Sequence, residues 1–577
     1  MSAGSRKSRR FDWDQIKPQT PLNFGVRSNG ELFEEPSARD RLIERLVLER
    51  ADRNARRLGV SRRSFLASWA GMATTLAVAN LVSGCGDGDS AARVECDQDG
   101  ARALLDPNER FPFIVDVQTH HVDNSGQWRD PIYGDWQSTN RLYFTLFDRF
   151  FDGSCPQSQH HAACLGVDDY VDLVFGQSDT SVAVLSTFPA ITCDQAQRLG
   201  YGLELGFCGN FLPSDAIAST RDLVNQRAGS QRSLGHAAVL PNPPSWLDAG
   251  ERQRWLDEQR TAMTYAARDL GIRAWKCYTP FGALPIDQVR GKSFTEVVGA
   301  VLSNQIAGEG WYLDDEVGLE FIENAIALDA RLINIHKGIP LPSFDSVHTS
   351  ARDVGVVARR YPEVTFLVYH SAINFGVRGL FDSIPEGPYD PGAYRPEDDP
   401  HGINSLIHSV VVNGLSAEGK GSGYIGNVVA ELGGPGGRAI GDAVQGTHIF
   451  GKLLKYIGEN NIVWGTDAIW YGSPQSLIEG FVAFRMDSAI SEQYDYPELT
   501  DERKAKILGL NAARIYGIDV EERRCELAAD SLSALRREAR RQRARNPQPL
   551  HPLQVSQGPR TRREFFALWH SKNWLPG

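Results

Sequence analysis

Side chains that can bind a metal ion or transfer protons recur at the carboxyl ends of apolar runs in this sequence. His120, His336 and His370 stand at three such ends, and Asp467 stands at a fourth. A lone histidine at the end of one strand is more often structural than functional. Three histidines and an aspartate at matching positions are harder to explain in that way, so we predict that they share one site.

The elements that must position these side chains are eight short apolar runs, separated by helical patterns and loops. The runs are Phe111–His120, Val182–Ala190, His236–Pro243, Ala274–Phe281, Arg331–Gly338, Val364–Ser371, Ile425–Leu432 and Asn461–Ala468. Apolar strands that alternate with helices are typical of a parallel sheet covered on both faces. Eight of them predict an α/β fold, a (β/α)8 TIM barrel with loop insertions. The active site of such a barrel lies at the carboxyl ends of its strands.

This pattern resembles the amidohydrolase superfamily, and within it the amidohydrolase-related group, which includes aminocarboxymuconate-semialdehyde decarboxylase-like enzymes and lactone hydrolases. The resemblance covers residues 111–518. It depends on Asp116–His120, on the strand ends at His336 and His370, and on Gly465–Asp467. The closing helical segment Lys504–Gly517 is similar to the terminal helix of the family.

The resemblance implies one divalent metal ion, usually zinc, with His120, His336 and Asp467 among its ligands. The family has a histidine where Gln118 stands in this chain. A glutamine offers a neutral carbonyl oxygen, which is a weaker zinc ligand than imidazole. We take Gln118 as the fourth expected ligand. His121 is not a substitute, because side chains alternate along a strand.

Lys276, in the fourth run, has three interpretations. Some members of the superfamily carbamylate a lysine at this strand to bridge two metal ions. A cation that holds a substrate carboxylate is a more modest role, and a structural ion pair is the third. We include Lys276 among the candidate catalytic residues.

The expected chemistry is attack of a metal-activated water on a carbonyl group. Asp467 is placed to accept a proton from that water, and His370 can stabilise the developing oxyanion or relay the proton. The function predicted is hydrolysis of a C–N, ester or lactone bond. Non-oxidative decarboxylation is one alternative, and a metal-poor barrel that acts as a binding protein is another.

The front of the chain resembles an export signal. Ser61–Leu66 resembles a twin-arginine (Tat) motif, and Leu81–Cys85 resembles a lipoprotein box. Together they imply a bacterial-type exported protein, periplasmic or anchored to the membrane through a lipid on Cys85. We therefore divide the chain into an extension (1–60), a signal (61–85), a linker (86–110), a barrel (111–519) and a basic tail (520–577).

The net charge limits the kinds of partner that the protein is expected to bind. The 61 basic and 72 acidic side chains give a net charge of −11, which argues against nucleic-acid binding and leaves a small-molecule substrate. A homodimer remains open.

Cys155 with Cys164, or Cys193 with Cys208, could form a disulfide in an oxidising periplasm. The glycine-rich segment 432–438 lacks the Lys-Ser/Thr of a phosphate loop, and we predict a flexible loop beside the site.

Overall fold

The structure is a computed structural model. It describes residues 113–126, 165–201, 208–341, 343–374, 386–397, 401–470 and 472–545, with isolated residues between 45 and 66. The chain divides into two compact units, residues 1–101 and 102–577. In the first unit Ala51, Ala55 and Leu66 share a small apolar cluster. Most of the predicted signal and most of the predicted extension lie outside the described residues, as do Cys85 and the linker.

Nine short strands of the second unit form a parallel barrel. They are β1 (Val115–Thr119), β2 (Val182–Leu185), β3 (Ser233–Gly235), β4 (Ala237–Val239), β5 (Ala274–Tyr278), β6 (Leu332–His336), β7 (Thr365–Tyr369), β8 (Val428–Glu431) and β9 (Ile462–Val463). Two sheets, β1–β3 and β4–β9, contain only parallel pairs. Because β3 and β4 are separated by His236 alone, the nine segments described make eight barrel strands. The predicted third run therefore begins too late, since its strand starts at Ser233.

The barrel closes between its first and last strands. The backbone NH of Val117 donates to the Trp464 carbonyl at 3.0 Å, and the NH of Asp467 donates to the Gln118 carbonyl at 2.9 Å. A parallel bridge pairs Thr119 with Ala468. The (β/α)8 fold predicted from the sequence is thus confirmed, and closure brings Gln118 beside Asp467 although 349 residues separate them.

Helices surround the strands. They are α1 (Val167–Tyr170), α2 (Cys193–Arg198), α3 (Ser214–Ala228), α4 (Ala249–Arg268), α5 (Ile286–Val289), α6 (Phe294–Leu302), α7 (Glu316–Ala327), α8 (Arg352–Arg360), α9 (Ile403–Val412), α10 (Pro435–Gly441), α11 (Ala443–Lys452), α12 (Gln475–Ala483), α13 (Ser488–Tyr494), α14 (Asp501–Ala505), α15 (Asn511–Tyr516), α16 (Val520–Ala529) and α17 (Ser531–Arg545). Short π-helical turns cover Val171–Gly176, Leu453–Ile457 and Lys506–Leu510, and 3-10 turns cover Ser346–Thr349 and His370–Ala372. None of the described helices is both long and apolar enough to span a membrane.

Alternate side chains of each strand face the apolar core and the interior of the barrel. Ile333 and Ile335 of β6 belong to the largest apolar cluster, which fills the space between strands and helices. Successive side chains of a strand point to opposite faces. Asn334 and His336 therefore face the barrel interior, where both are buried. The same alternation turns a polar side chain at a strand end toward the mouth of the barrel.

The described part of the predicted basic tail is folded rather than extended. α16 and α17 bury Leu527 and Leu532. Arg232 lies 3.5 Å from Asp530, and both side chains are at most 2% exposed. Burial lowers the pKa of Arg232 to about 10, although Asp530 favours its charged form. This ion pair holds the start of the tail against the barrel strands.

One of the two predicted cysteine pairings is present. Cys193 and Cys208 form a disulfide whose Cα atoms are 4.8 Å apart. Cys155 and Cys164 lie outside the described residues. Cys277, which is buried in β5, is a free thiol.

Candidate active site

His120 and Asp467 form the first half of the candidate site. The Nδ1 of His120 donates a hydrogen bond to the Ser186 carbonyl at 2.7 Å. The Nε2 lies 2.9 Å from Oδ1 of Asp467. Because Nδ1 holds the proton of a neutral ring, Nε2 then presents a lone pair to a carboxylate oxygen. That contact is favourable only when a proton or a metal ion lies between the two atoms.

The Asp467 carboxylate is suited to this position. Its backbone has a φ of 61°, which aims the side chain back toward β1. Some 31% of the side chain is open to solvent, whereas His120 is 1% exposed. Desolvation would raise the pKa of Asp467, but its contact with His120 and the nearby charge of Lys276 hold the pKa below its ordinary value. The group is therefore an anion at neutral pH.

Gln118 joins this half of the site through its amide. Its Nε2 donates to Oδ1 of Asp467 at 2.9 Å. Its Oε1 is buried and has no hydrogen-bond partner among the described residues. A Cβ at Gly433 would lie 2.3 Å from that oxygen, so a larger residue there would displace the Gln118 amide. Rotation of the amide by half a turn exchanges Oε1 and Nε2, which lets the oxygen face a cation beside Asp467.

His336 and His370 form the second half. Their facing atoms, Nδ1 of His336 and Nε2 of His370, are 3.2 Å apart. The other nitrogen of each ring faces a backbone carbonyl, Ile339 for His336 at 3.2 Å and Gly433 for His370 at 2.7 Å. Carbonyls accept only, so those nitrogens carry the protons and the facing nitrogens carry lone pairs.

Electrostatics keep both rings neutral. Burial lowers the pKa of His370 to about 4. The charge of Asp467 opposes this decrease in part, and the charge of Lys276 adds to it. Burial, with His370 and Lys276, moves the pKa of His336 well below its usual value. Neutral imidazoles whose lone pairs face each other could interact with a cation, since a proton is not retained between them at pH 7.

The donor types suit a divalent ion, and each of the two pairs has roughly the spacing of neighbouring ligands. Bonds of about 2.0–2.1 Å at tetrahedral angles place neighbouring ligand atoms about 3.3 Å apart, close to the two separations above. Within the described residues, however, no three His, Cys, Asp or Glu side chains gather around one point. Gln118, His120 and Asp467 meet on one side, and His336 meets His370 on the other. The set of Gln118, His120, His336 and Asp467 as ligands of a single ion stays a prediction.

Glu431 holds the backbone behind His370. The residues His370, Ser371 and Ala372 all have φ between 47° and 61°, a conformation unfavourable for residues other than glycine. The NH of His370 donates to Oε2 of Glu431 at 2.8 Å, and the Ser371 hydroxyl donates to the Glu431 carbonyl at 2.7 Å. These bonds offset the strain and fix the direction of the His370 ring. Burial raises the pKa of Glu431 to about 8.

Asp116 holds the backbone beside Asp467, after β9, as Glu431 holds the backbone of His370. It accepts hydrogen bonds from the NH and the hydroxyl of Thr466 and from the NH of Gln118. Thr466 precedes Asp467, so Asp116 ties β1 to the segment that carries the carboxylate. Burial raises the pKa of Asp116 to about 7.

Lys276 lies in the barrel interior and is 1% exposed. Its Nζ has no hydrogen-bond partner among the described residues and lies over the rings of Tyr369 (3.3 Å) and Tyr278 (4.4 Å). Burial lowers its pKa to about 7, opposed by Glu431 and Asp467 among others. Among the residues that the structure describes, no acidic side chain forms an ion pair with Lys276, so nothing there supports the structural ion pair. A role toward substrate stays a prediction.

Aromatic side chains lie beside His120 and His336. Phe188 lies 4.8 Å and Trp470 5.4 Å from the His120 ring, between centroids. Tyr278 stacks on His336 at 4.9 Å. Trp464 instead fills the core against Phe481. Trp470 is thus the tryptophan that borders the site.

The structure changes one further expectation and agrees with another. The glycine-rich segment 432–438, predicted to be a flexible loop, begins helix α10, because its proline at position 435 suits the first turn of a helix. The Gly433 carbonyl before that helix holds His370. His121 faces away from the site as predicted, with Nε2 2.8 Å from the Thr220 hydroxyl. The contributions of the Ser186 and Gly433 carbonyls had no sequence signal, since any residue supplies a carbonyl.

Comparisons with known proteins found a family model that matches part of the chain and several similar solved structures. Residues 424–518 match the family model Amidohydro_2, described as amidohydrolase. No curated protein sequence matches the chain. One similar solved structure is a probable 2-pyrone-4,6-dicarboxylic acid hydrolase from Acinetobacter baumannii with citric acid bound (12% identity, 70% of this chain and 99% of the other, TM-score 0.31). Another is 5-carboxyvanillate decarboxylase from Novosphingobium aromaticivorans, complexed with manganese and 4-hydroxy-3-methoxy-5-nitrobenzoic acid (12% identity, 72% of this chain and 98% of the other, TM-score 0.37). The segment that carries β8, β9 and Asp467 is therefore the part of the chain that matches an amidohydrolase family model.

Proposed function

We propose that this protein is a metal-dependent hydrolase of C–N, ester or lactone bonds. The observation that carries the proposal is the pair of imidazole lone pairs, from His336 and His370, that face each other at 3.2 Å. Two lone pairs at this distance repel each other, and a divalent ion held by His336 would relieve the repulsion while Nε2 of His370 stays available to accept a proton. The unpartnered Oε1 of Gln118 and the His120–Asp467 contact supply further donors.

The residues have distinct parts in this proposal. Gln118, His120, His336 and Asp467 hold the ion, which we take to be zinc. A divalent ion in this site would supply Lewis acidity that lowers the pKa of water and polarises a carbonyl. Asp467, ionised and open on one side, accepts the proton of the attacking water. The Nε2 of His370 receives the proton on its way to the leaving group, while Nδ1 remains bonded to the Gly433 carbonyl.

Lys276 contributes a positive charge that varies near neutral pH. Burial brings its pKa to about 7, and its Nζ has no described hydrogen-bond partner. We propose that it donates to a substrate oxygen, a carboxylate in particular. A donor kept dry in this way forms a stronger hydrogen bond to an anionic substrate than an exposed lysine does.

We also propose that the protein is exported by the Tat route and anchored through Cys85. The twin-arginine motif at 61–66 and the small residues before Cys85 support this. The Cys193–Cys208 disulfide gives independent support, because disulfides persist mainly in oxidising compartments. Radiolabelled palmitate incorporation into the wild type, absent from Cys85→Ala, tests the anchor.

Metal content measured by elemental mass spectrometry tests the site. Protein purified without chelator is expected to hold about one equivalent of a divalent ion. Gln118→His supplies the imidazole of the family pattern, so this variant should release its metal to a chelator about 10-fold more slowly. Gln118→Leu, which has a similar size and no donor, is the matched control and should release it faster. Less than a tenth of an equivalent in the wild type would instead support the metal-poor binding protein.

A panel of aryl esters, lactones, amides and aromatic carboxylates tests the reaction. Carbonyl cleavage that disappears in Asp467→Asn supports the hydrolase. Release of CO2 from the carboxylates without cleavage of the other substrates would replace the hydrolase with a decarboxylase. The two reactions are read in the same samples, by chromatography for cleavage and by CO2 capture for decarboxylation.

A further inference from the structure

Two tyrosine rings contact the buried amine of Lys276 inside the barrel. The Nζ of Lys276 lies 3.3 Å from the centre of the Tyr369 ring and 4.4 Å from the centre of the Tyr278 ring. An ammonium group is attracted to the face of an aromatic ring, and the attraction is stronger where water is excluded. The two rings therefore stabilise the charged form of an amine that has no hydrogen-bond partner among the described residues.

The strand register places both rings beside His336. Tyr278 of β5 and Tyr369 of β7 are the residues that pair with His336 of β6 on its two sides. Residues paired in this way on parallel strands point to the same face of the sheet, so the three side chains form one inward layer at the carboxyl ends of the strands. Lys276 stands two residues before Tyr278 and therefore faces inward as well, and its long side chain reaches this layer.

Backbone carbonyls fix the hydroxyl groups of both tyrosines. Tyr278 donates to the Thr187 carbonyl at 2.8 Å, and Tyr369 donates to the Val117 carbonyl at 2.8 Å. The Tyr369 oxygen also lies 3.1 Å from Nδ1 of His236. Because a carbonyl only accepts, the single proton of each hydroxyl is used in these bonds. The two tyrosines thus act on Lys276 through their rings and not as proton donors.

The charged and titratable groups around the amine act on it without bonding to it. Burial lowers the pKa of Lys276 to about 7, and Cys277, Glu431 and Asp467 oppose this decrease. Burial, aided by the charge of the amine, lowers the pKa of three nearby imidazoles, those of His236, His336 and His370. Since no described group accepts a hydrogen bond from Nζ, the amine keeps its donors for a ligand.

We propose that Tyr278 and Tyr369 are positioning residues that hold the Lys276 amine ready for one small oxyanion, a carboxylate group of the substrate. The proposal rests on the proposed function, which it deepens by naming the groups that keep the amine in place. An aromatic face attracts the cation without carrying a charge of its own. A carboxylate ligand therefore meets no anion already paired with the amine.

Nuclear magnetic resonance of protein labelled with carbon-13 at the lysine ε-carbon measures the titration of this amine in the resting protein. The signal of Lys276 is the one that Lys276→Met lacks. We expect Tyr369→Leu to lower the titration midpoint by at least about 0.5 pH unit, because the ammonium group loses its nearest ring. Tyr369→Phe, which keeps the ring, should stay within about 0.2 pH unit of the wild type. Tyr265→Leu, at a tyrosine that is 44% exposed, is the matched control and should leave the midpoint unchanged.

Acetate and acetamide test the class of ligand, since they have nearly the same size and differ in charge. Acetate should raise the midpoint of the wild type by at least about 0.5 pH unit, because a nearby anion favours the charged amine. Acetamide should leave it unchanged. In Tyr369→Leu, the acetate concentration that gives half of the effect should be at least about threefold higher.

A midpoint that is unchanged or higher in Tyr369→Leu would overturn the proposal, and so would a decrease of the same size in Tyr369→Phe. An acetate effect no larger than that of acetamide would also overturn it. If Tyr369→Leu does not fold, Tyr278→Leu replaces it with a smaller expected decrease, and an unchanged or higher midpoint there has the same meaning.

The titration requires no turnover, so it separates this proposal from the proposed function. A midpoint that depends on the Tyr369 ring, without carbonyl cleavage in the substrate panel, refutes only the proposed hydrolase. Carbonyl cleavage together with an unchanged midpoint in Tyr369→Leu refutes only the positioning role.

Discussion

The lysine inside the barrel makes stability depend on pH in a specific direction. Burial lowers the pKa of Lys276 from 10.5 to about 7. The folded protein therefore loses this proton near pH 7, whereas the unfolded chain keeps it up to about pH 10.5. Between these values the unfolded state binds more protons, so the free energy of unfolding rises with pH. Below pH 7 the folded state must hold a buried ammonium group, and its stability is lowest there.

The magnitude follows from the shift. A change of one pKa unit is worth about 1.4 kcal/mol, so this shift corresponds to about 5 kcal/mol between the two limits. Between pH 7 and pH 9 linkage gives a rise of about 2 kcal/mol, because the lysine is already half deprotonated at pH 7. Lys276→Met keeps the length of the side chain and removes the titration. The free energy of unfolding of Lys276→Met minus that of the wild type should therefore be about 2 kcal/mol smaller at pH 9 than at pH 7.

Chemical denaturation followed by tryptophan fluorescence measures the effect at pH 7, 8 and 9. Lys420→Met, at an exposed lysine, is the matched control and should differ from the wild type by the same amount at each pH. A difference between Lys276→Met and the wild type that stays constant within about 0.5 kcal/mol would refute the reasoning. It would mean that Lys276 is charged in the folded protein and solvated by groups other than its two tyrosine neighbours.

Three further predictions follow from other contacts. His336→Ala should lose at least about 90% of the bound metal and of any cleavage activity, measured by elemental analysis and by the substrate panel; full activity would exclude a metal ligand at this position. Cys193→Ser should lower the free energy of unfolding by about 3 kcal/mol, since the loop that its disulfide closes spans 15 residues; reduction of the wild type should reproduce the loss, and a change below about 1 kcal/mol contradicts it. Asp353→Ala should cost about 3–5 kcal/mol in denaturation experiments, because it leaves Lys337, 2.8 Å from that carboxylate and fully buried, without its partner; the double variant with Lys337→Met should recover part of the loss.

Much of the fold could be predicted because a barrel strand is buried on both sides. Such a strand requires a nearly continuous apolar run, and a polar side chain at its end is then conspicuous. The third strand shows where this reasoning stops. His236 divides it into β3 and β4 and is buried, with hydrogen bonds to Tyr516 at 2.7 Å and Tyr369 at 3.1 Å. A histidine satisfied by distant tyrosines cannot be distinguished in sequence from one that begins a strand.

The site was predictable in composition and not in arrangement. Residue types and strand ends identified Gln118, His120, His336, His370 and Asp467 as neighbours, and Gln118 and His120 do contact Asp467. The roles of Glu431 and of the Gly433 carbonyl were not predicted. Both act on backbone groups, which look alike at every residue, so their importance depends on which loops barrel closure brings together.

The amino-acid sequence by itself determined the order of the strands and the polar side chains at their ends. Buried strands require apolar runs, and such runs can be recognised from neighbouring residues alone. Tertiary structure alone decided which nitrogen of each imidazole faces a backbone carbonyl and which aromatic rings surround it. These properties depend on distances between segments far apart in the chain. No local pattern records such distances, since they are fixed only when the first and last strands pair.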